Sequence, residues 1–322
     1  MRILVTGGNG YVGRTVCRLL MADNDVHVID NLRYGEVRFA ESELERLDLV
    51  AADIRDMDAI AGLIRKVKPE VIIHLAAIHY IPECDADPVL ALTTNVQGTL
   101  NIAAACPPDC RLVYASSGAV YGPLDEPHQE VRSPVRPTDI YGHTKLHGED
   151  YIRHFATTNG FAAVIVRLFN VVGPGETNPH VLPEIVAQLK AGRSAVHLGN
   201  IAAKRDFVHV SDAAAGFAAV ALHGKLERGS VETVNLGSSQ TYSVEELIDM
   251  LAETRGAPIK IETDAARLRA SDRPFMCADI ERIGQHFGWK PEKSIKDAID
   301  DMWREPELPR SLVDQYTPAA VG

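Results

Sequence analysis

Tyr141 and Lys145 stand four residues apart, a spacing that sets both side chains on one face of a helix. A lysine ammonium beside a phenol favours the phenolate, as does the positive nicotinamide of an oxidised dinucleotide. Tyrosine otherwise titrates near about pH 10 and is a poor base at neutrality. Ser117 follows an apolar run, Arg111–Ser116, and can bind the same substrate oxygen. Together the three residues suit removal of a proton from an alcohol whose carbon gives up a hydride.

That chemistry needs a hydride acceptor. Gly7, Gly8, Gly10 and Gly13 follow the apolar run Arg2–Thr6 and open a helical stretch, Tyr11–Met21. They satisfy G-x-G-x-x-G at Gly8, Gly10 and Gly13, and G-x-x-G-x-x-G at Gly7, Gly10 and Gly13. A pyrophosphate must reach the backbone N–H groups of a helix N-terminus, here around Tyr11 and Val12, and a Cβ would block it. Asp30 ends the next strand, 17 residues after Gly13, and is followed by Asn31. A carboxylate there accepts both hydroxyls of an adenosine ribose and repels a 2′-phosphate, so NAD is favoured over NADP. Arg33 stands close enough to soften that preference. Asp53 and Ile54 end the third strand and are expected to meet the adenine.

Positioning these groups takes alternating strands and helices. Strand-like runs at Arg2–Thr6, Val26–Asp30, Leu47–Asp53, Val71–Ala76, Arg111–Ser116 and Phe161–Leu168 alternate with helical stretches at Tyr11–Met21, Asp56–Val67, Asp87–Ala105 and Tyr141–Thr158. That order predicts a doubly wound parallel α/β sheet of the Rossmann type, whose near-continuous apolar strands are buried on both faces. After Gly173 the pattern turns irregular. Asn178-Pro179 and Pro183 mark turns, Pro183–Ala191 reads as a short helix, and Pro258–Glu262 reads as a short strand. Ser243–Thr254 reads as a helix opened by a capping box of Ser243 and Glu246. The expected organisation is an NAD-binding domain over residues 1–172, with returns near 206–236, and a smaller mixed substrate domain over 173–322. The tail after Pro306 reads as loosely ordered.

His74 ends a buried strand and is expected to be a satisfied core residue. His79, Tyr80 and Glu83 fall on the loop after it. Such loops face ligands in parallel sheets, so all three are candidate sugar contacts.

The bulk composition narrows the partners. Thirty-three basic against 44 acidic side chains give a net charge of -11, which argues against nucleic acid or an anionic membrane as a broad partner. No run of 18 apolar residues exists, and the N-terminus lacks the pattern of a signal peptide. Five scattered cysteines read as reduced thiols, so a cytoplasmic enzyme is expected. Cys106 and Cys110 have no second ligand pair, so no metal is expected.

With these residues in hand, the chain resembles the extended short-chain dehydrogenase/reductase family, in its NAD-dependent nucleotide-sugar epimerase and dehydratase branch. The motifs run in order over about residues 1–300. They are the glycine turn, Asp53, His74-Leu75-Ala76-Ala77, Asn95, Ser116-Ser117, Tyr141 with Lys145, Arg167-Leu168-Phe169-Asn170, Gly173-Pro174, Lys204-Arg205-Asp206 and Arg273-Pro274. The resemblance implies that Ser117, Tyr141 and Lys145 are catalytic. It implies that Leu75, Ala76, Ala77 and Asn95 line the cofactor cleft, with Lys145 also on the nicotinamide ribose. It implies that Asn170 and Arg205 bind the substrate diphosphate with Arg273 nearby, and that the chain forms a homodimer through helices at 87–105 and 141–158.

The segment Ser116–Gly122 bears on the reaction. In the family's 4,6-dehydratases the positions matching Gly118 and Ala119 hold an Asp-Glu pair that eliminates water. UDP-glucuronate decarboxylases also carry an acid in this stretch. This chain has neither and resembles a 4-epimerase of UDP-glucose or UDP-glucuronate type, in which small residues such as Gly118 suit a keto-sugar that turns over in the site. His180 and Val181 are expected beside the nucleotide. Uridine-binding members often have Arg-Pro-x-Asp where this chain has Arg273-Pro274-Phe275-Met276, and Leu198-Gly199-Asn200 with Ala203–Asp206 is similar to GDP-sugar dehydratases and reductases. The base therefore stays open, and a nucleotide-sugar dehydratase or reductase, GDP-linked, is the alternative enzyme. A non-catalytic NAD-sensing module is the alternative from another class. Such modules keep the glycine turn but can lose the tyrosine base, and the intact Ser117, Tyr141 and Lys145 argue against it.

Overall fold

The structure, a computed structural model, describes residues 1–304 except Tyr34, Thr177, Ser194 and 265–272, together with Leu308. The tail read as loose lies outside the described residues, Leu308 apart.

Seven parallel strands form the central sheet in the order Val231–Leu236, Ala162–Leu168, Arg111–Ser117, Val71–His74, Arg2–Thr6, Asp25–Asp30 and Leu47–Ala51. Strand side chains alternate between faces, which explains why these runs are apolar throughout. Ile3, Val5, Val26, Val28, Val113 and Val166 point to one face and pack with Val16, Leu20 and Phe217. Leu4, Ile29, Ile72, Leu112, Tyr114 and Ile165 point to the other and pack with Ile60, Ile64, Ile102 and Ile152. Helices Tyr11–Leu20 and Val210–Leu222 cover the first face, and Met57–Val67, Gly98–Ala105 and Ile140–Asn159 cover the second.

The stretch expected as one helix over 87–105 is three pieces. Pro88–Leu92, N-capped by the Asp87 side chain, leads into a π-helical turn at Thr93–Gln97 and then into Gly98–Ala105. Wide turns of this kind recur at functional sites, and this one carries the buried Asn95.

Beyond the sheet, strand Lys204–His209 pairs in parallel with Asn170–Val172 and Phe275–Met276, and antiparallel with Thr241–Tyr242. Ala195–Leu198 pairs separately with Lys260–Thr263. Helices Val181–Lys190, Val244–Arg255 and Ile295–Arg304 bury Leu182, Ile185, Leu247, Leu251, Ile299 and Met302 in a second core. The capping box of the middle helix is formed. Ser243 Oγ accepts from Glu246 N at 3.1 Å, and the Glu246 carboxylate accepts from Ser243 N at 2.6 Å. Among the described residues no helix is long and apolar enough to cross a membrane.

Candidate active site

The chain crosses the sheet in opposite directions from Arg2–Thr6, toward Asp25–Asp30 on one side and Val71–His74 on the other. Such a switch point leaves a crevice at the carboxyl ends of the two strands. A cavity of about 970 Å³ opens there, with Gly7 and Ala76 in its wall.

The glycine turn folds as the spacing requires. Gly7 has φ +70°, and a Cβ on Gly13 would fall 2.1 Å from the Gly7 carbonyl oxygen. Helix Tyr11–Leu20 starts from Gly10 without a capping side chain and without an acidic residue in its first turn. Gly7, Gly10, Tyr11, Val12 and Gly13 all line the cavity. An uncapped helix start bared by glycines is a cradle for an anion, and it fits a dinucleotide pyrophosphate. The Tyr11 ring is buried behind this cradle, where its hydroxyl donates to Gly173 O at 3.0 Å.

Asp30 and Asn31 stand in the same wall. The Asp30 carboxylate accepts from Asn9 N at 3.0 Å and Leu32 N at 2.9 Å. Burial raises its pKa and these two bonds oppose the rise. Arg33 also lines the cavity and is ion-paired with Glu83, which does not. Leu75, Ala76, Ala77 and Ile54 are in the wall, but Asp53 is not. Its carboxylate is gripped by Arg55 at 2.9 and 2.7 Å, which holds its pKa down at about 2.

Ser117, Tyr141 and Lys145 meet at one end of this wall. Ser117 ends strand Arg111–Ser117, and its Oγ accepts from Ala119 N at 3.1 Å. Tyr141 and Lys145 occupy the first two turns of helix Ile140–Asn159, which Asp139 caps by accepting from Gly142 N at 2.7 Å. A Cβ on Gly142 would lie 2.5 Å from Ala119 O, so glycine lets the helix start press against the end of the serine strand. Lys145 is buried, donates from Nζ to Ala115 O at 2.7 Å, and lies 5.9 Å from the Tyr141 ring centroid.

The electrostatics depart from the sequence expectation. Burial pushes the Tyr141 phenol well above its ordinary value, with a Ser117 hydrogen bond opposing. Burial also pushes the Lys145 ammonium down to about 7. Desolvation, rather than the ammonium, dominates the phenol, because both groups have left water together.

Two residues expected at ligands have protein partners in the structure. Asn95 is 1% exposed and lies behind the cavity wall. Its carboxamide accepts from Ile78 N at 2.8 Å and donates to Ile78 O at 2.9 Å and Thr144 Oγ1 at 3.0 Å, tying the loop after Val71–His74 to helix Ile140–Asn159. Arg273 does line the cavity, but its guanidinium bonds Asp139 Oδ2 at 3.1 Å, Ala119 O at 3.1 Å and Thr138 Oγ1 at 2.8 Å. It therefore braces the helix start. His74 is satisfied in the core by Thr6 Oγ1 at 2.6 Å and Thr99 Oγ1 at 2.9 Å.

The opposite wall carries Asn170, Arg205, His180 and Val181. Asn170 and Arg205 come from the paired strands Asn170–Val172 and Lys204–His209, while His180 and Val181 stand at the start of helix Val181–Lys190. Gly118 lies between these walls, where an added Cβ would sit 3.3 Å from both Phe169 and the Met276 methyl. His79 reaches the same side. Its Nε2 is 3.1 Å from Asn178 Nδ2, its ring stacks on His180 with centroids 5.6 Å apart, and burial pushes its pKa down to about 4. Glu176, buried beside them, draws no notice in the sequence, because its neighbours come from a loop nearly a hundred residues earlier.

The comparisons agree with this geometry. A family model described as the NAD dependent epimerase/dehydratase family matches residues 3–237. The UDP-glucose 4-epimerase of Mycolicibacterium smegmatis is 33% identical over 93% of this chain and 96% of its own length. The GDP-6-deoxy-D-mannose reductase of Pseudomonas aeruginosa is 30% identical over 92% of this chain and 94% of its own. The crystal structure of UDP-glucose 4-epimerase from Bifidobacterium longum, in complex with NAD+ and UDP, superimposes with a TM-score of 0.84 at 26% identity, covering 95% of this chain and 99% of that one.

Proposed function

This chain belongs to the NAD-dependent epimerase/dehydratase family, and from that premise we propose that it is a nucleotide-sugar 4-epimerase acting on a UDP-hexose or UDP-hexuronate. The observation that carries the reading is the meeting of Ser117, Tyr141 and Lys145 in one cavity with the glycine turn.

Gly7, Gly10, Tyr11, Val12 and Gly13 hold the pyrophosphate of NAD through backbone N–H groups. Asp30 and Asn31 take the adenosine ribose, Ile54 packs on the adenine, and Leu75, Ala76 and Ala77 line the path to the nicotinamide. NAD, when bound, supplies hydride uptake and return and, when oxidised, a positive charge. Tyr141 takes the proton of the sugar 4-hydroxyl at Oη and later returns it. Lys145, anchored on Ala115 O, favours the phenolate by its charge and reaches the nicotinamide ribose. Ser117 holds the sugar oxygen beside the phenol. Asn170 and Arg205 take the diphosphate, with His180 and Val181 beside the nucleotide. Gly118, packed against Phe169 and Met276, adds no side chain to the site in which the keto-sugar turns. In this division residues 1–172, with the returns near 206–236, serve NAD, and 173–322 serve the nucleotide-sugar.

A second reading, a GDP-linked reductase, draws on the Pseudomonas relative and on Met276. Incubation with UDP-, GDP-, CDP- and dTDP-sugars separates the two. The epimerase converts UDP-glucose or UDP-glucuronate to the 4-epimer, read by NMR, with no net change in the absorbance of reduced nicotinamide. Net consumption of reduced cofactor with a GDP-keto-sugar sinks the epimerase. Tyr141→Phe should lower turnover by about 100-fold or more while NAD binding persists.

The exposed Val89 (72%), Leu92 (53%) and Tyr151 (38%), on Pro88–Leu92 and Ile140–Asn159, support a homodimer that covers them. The five buried, unpaired cysteines support a cytoplasmic location.

A further inference from the structure

We propose that His79, Glu176 and His180 form a site for one divalent transition-metal ion of the zinc class, on the substrate side of the cavity. The inference goes beyond the epimerase reading and does not depend on it.

The three residues come from two loops. His79 follows strand Val71–His74, while Glu176 and His180 lie between strand Asn170–Val172 and helix Val181–Lys190. Folding brings one ligand atom from each to within 4.8 Å of the others. Zinc bond lengths of about 2.0–2.2 Å set tetrahedral ligand atoms about 3.3–3.6 Å apart. The three atoms therefore stand within about 1.5 Å of the spacing the ion would impose. Two imidazoles and one carboxylate suit zinc and its borderline neighbours, whereas magnesium and calcium take oxygen ligands.

The surroundings orient the set. Asn178, 4% exposed, donates its backbone N–H to Glu176 Oε1 at 3.1 Å, and its carboxamide lies 3.1 Å from His79 Nε2. An asparagine amide can offer either its oxygen or its nitrogen, so it can hold one ring nitrogen of His79 while the other meets the ion. The His79 and His180 rings stack at 28°, and Tyr80 packs edge-on against His180 at 5.6 Å. In metal sites a hydrogen-bond partner on the far ring nitrogen fixes the imidazole, and Asn178 is placed to do this for His79. All three ligands line the cavity, so a coordination position left by the protein opens to the space that receives substrate. Three protein ligands with an open position is the pattern of reactive rather than structural zinc sites.

The test is a metal titration of the full chain after chelator treatment. Zinc should bind at one equivalent by calorimetry, and cobalt should give the visible bands of a nitrogen- and oxygen-ligated ion. His79→Ala and Glu176→Gln should each weaken zinc about 100-fold or more, and Asn178→Ala about tenfold or more. No stoichiometric binding, or affinities unchanged in the variants, overturns the proposal. So do near-ultraviolet thiolate bands with cobalt, which would put the ion on cysteine. The cobalt spectrum of the unaltered chain decides even where a variant fails to fold. No turnover is measured, so this result and the substrate panel fail independently.

Discussion

The Glu149 carboxylate meets the Arg167 guanidinium in a bidentate pair, Nε to Oε1 at 2.9 Å and Nη2 to Oε2 at 2.8 Å, with the two side chains 1% and 4% exposed. Glu149 lies one helical turn beyond Lys145, and Ser116 Oγ donates to the same carboxylate at 2.6 Å. The pair therefore ties helix Ile140–Asn159 to strand Ala162–Leu168, and the Ser116 bond ties the same carboxylate to the strand that ends in Ser117. Together they form a buried frame under Ser117 and Lys145.

Removing one partner leaves the other charge buried alone. Glu149→Leu should cost about 3–5 kcal/mol in urea unfolding, and the double variant Glu149→Leu with Arg167→Met should cost less than the single one. Equal or additive losses would show that the pair is not the source of the effect.

On the proposed reading, Asp30 sets the choice between NAD and NADP. Asp30→Ala should weaken NAD by about 10–100-fold, the worth of hydrogen bonds to a charged group, and should narrow the preference over NADP. The carboxylate also holds Asn9 N and Leu32 N, so part of the loss comes through the turn. NADP affinity relative to NAD, measured by fluorescence titration, isolates the ribose contribution, and an unchanged ratio contradicts the assignment.

Acid should weaken the fold before it reaches the carboxylates. Burial holds His74 at about 3. In the unfolded chain it titrates near about 6.5. Between these values the unfolded chain binds more protons than the folded one, so stability rises with pH across the window and falls on acidification. Asp53, held at about 2 by Arg55, adds a loss only as pH drops below its unfolded value of about 4. Unfolding free energies at pH values from about 7 to 4.5 should decline, less steeply in His74→Gln. A flat profile in the parent chain contradicts this account.

The glycine turn and the Tyr141–Lys145 pair are legible in the sequence because each sits inside one local element, a strand–turn–helix or a single helix face. The strands are legible because burial on two faces makes them apolar at every position. What escapes is set by distant partners. Asn95 looks like a cleft residue until Ile78 and Thr144 take its amide. The sequence also gives no sign that Arg273, in the cavity wall, bonds Asp139, 134 residues earlier. Ala195–Leu198 has strand character only through Lys260–Thr263. The depressed ammonium and raised phenol follow from burial, a tertiary property that spacing does not encode. Asp87-Pro88, a cap followed by a first-turn proline, marks where the 87–105 stretch begins, but the π-helical turn at Thr93–Gln97 inside it carries no such local signal.

The edge strand Val231–Leu236 seals the sheet beside Ala162–Leu168, yet the chain forms most of the opposite cavity wall before reaching it. During synthesis the ribosome must therefore deliver residue 236 before the nascent sheet loses its raw border. Until then Ala162–Leu168 offers an unmated row of peptide groups, open to wrong neighbours.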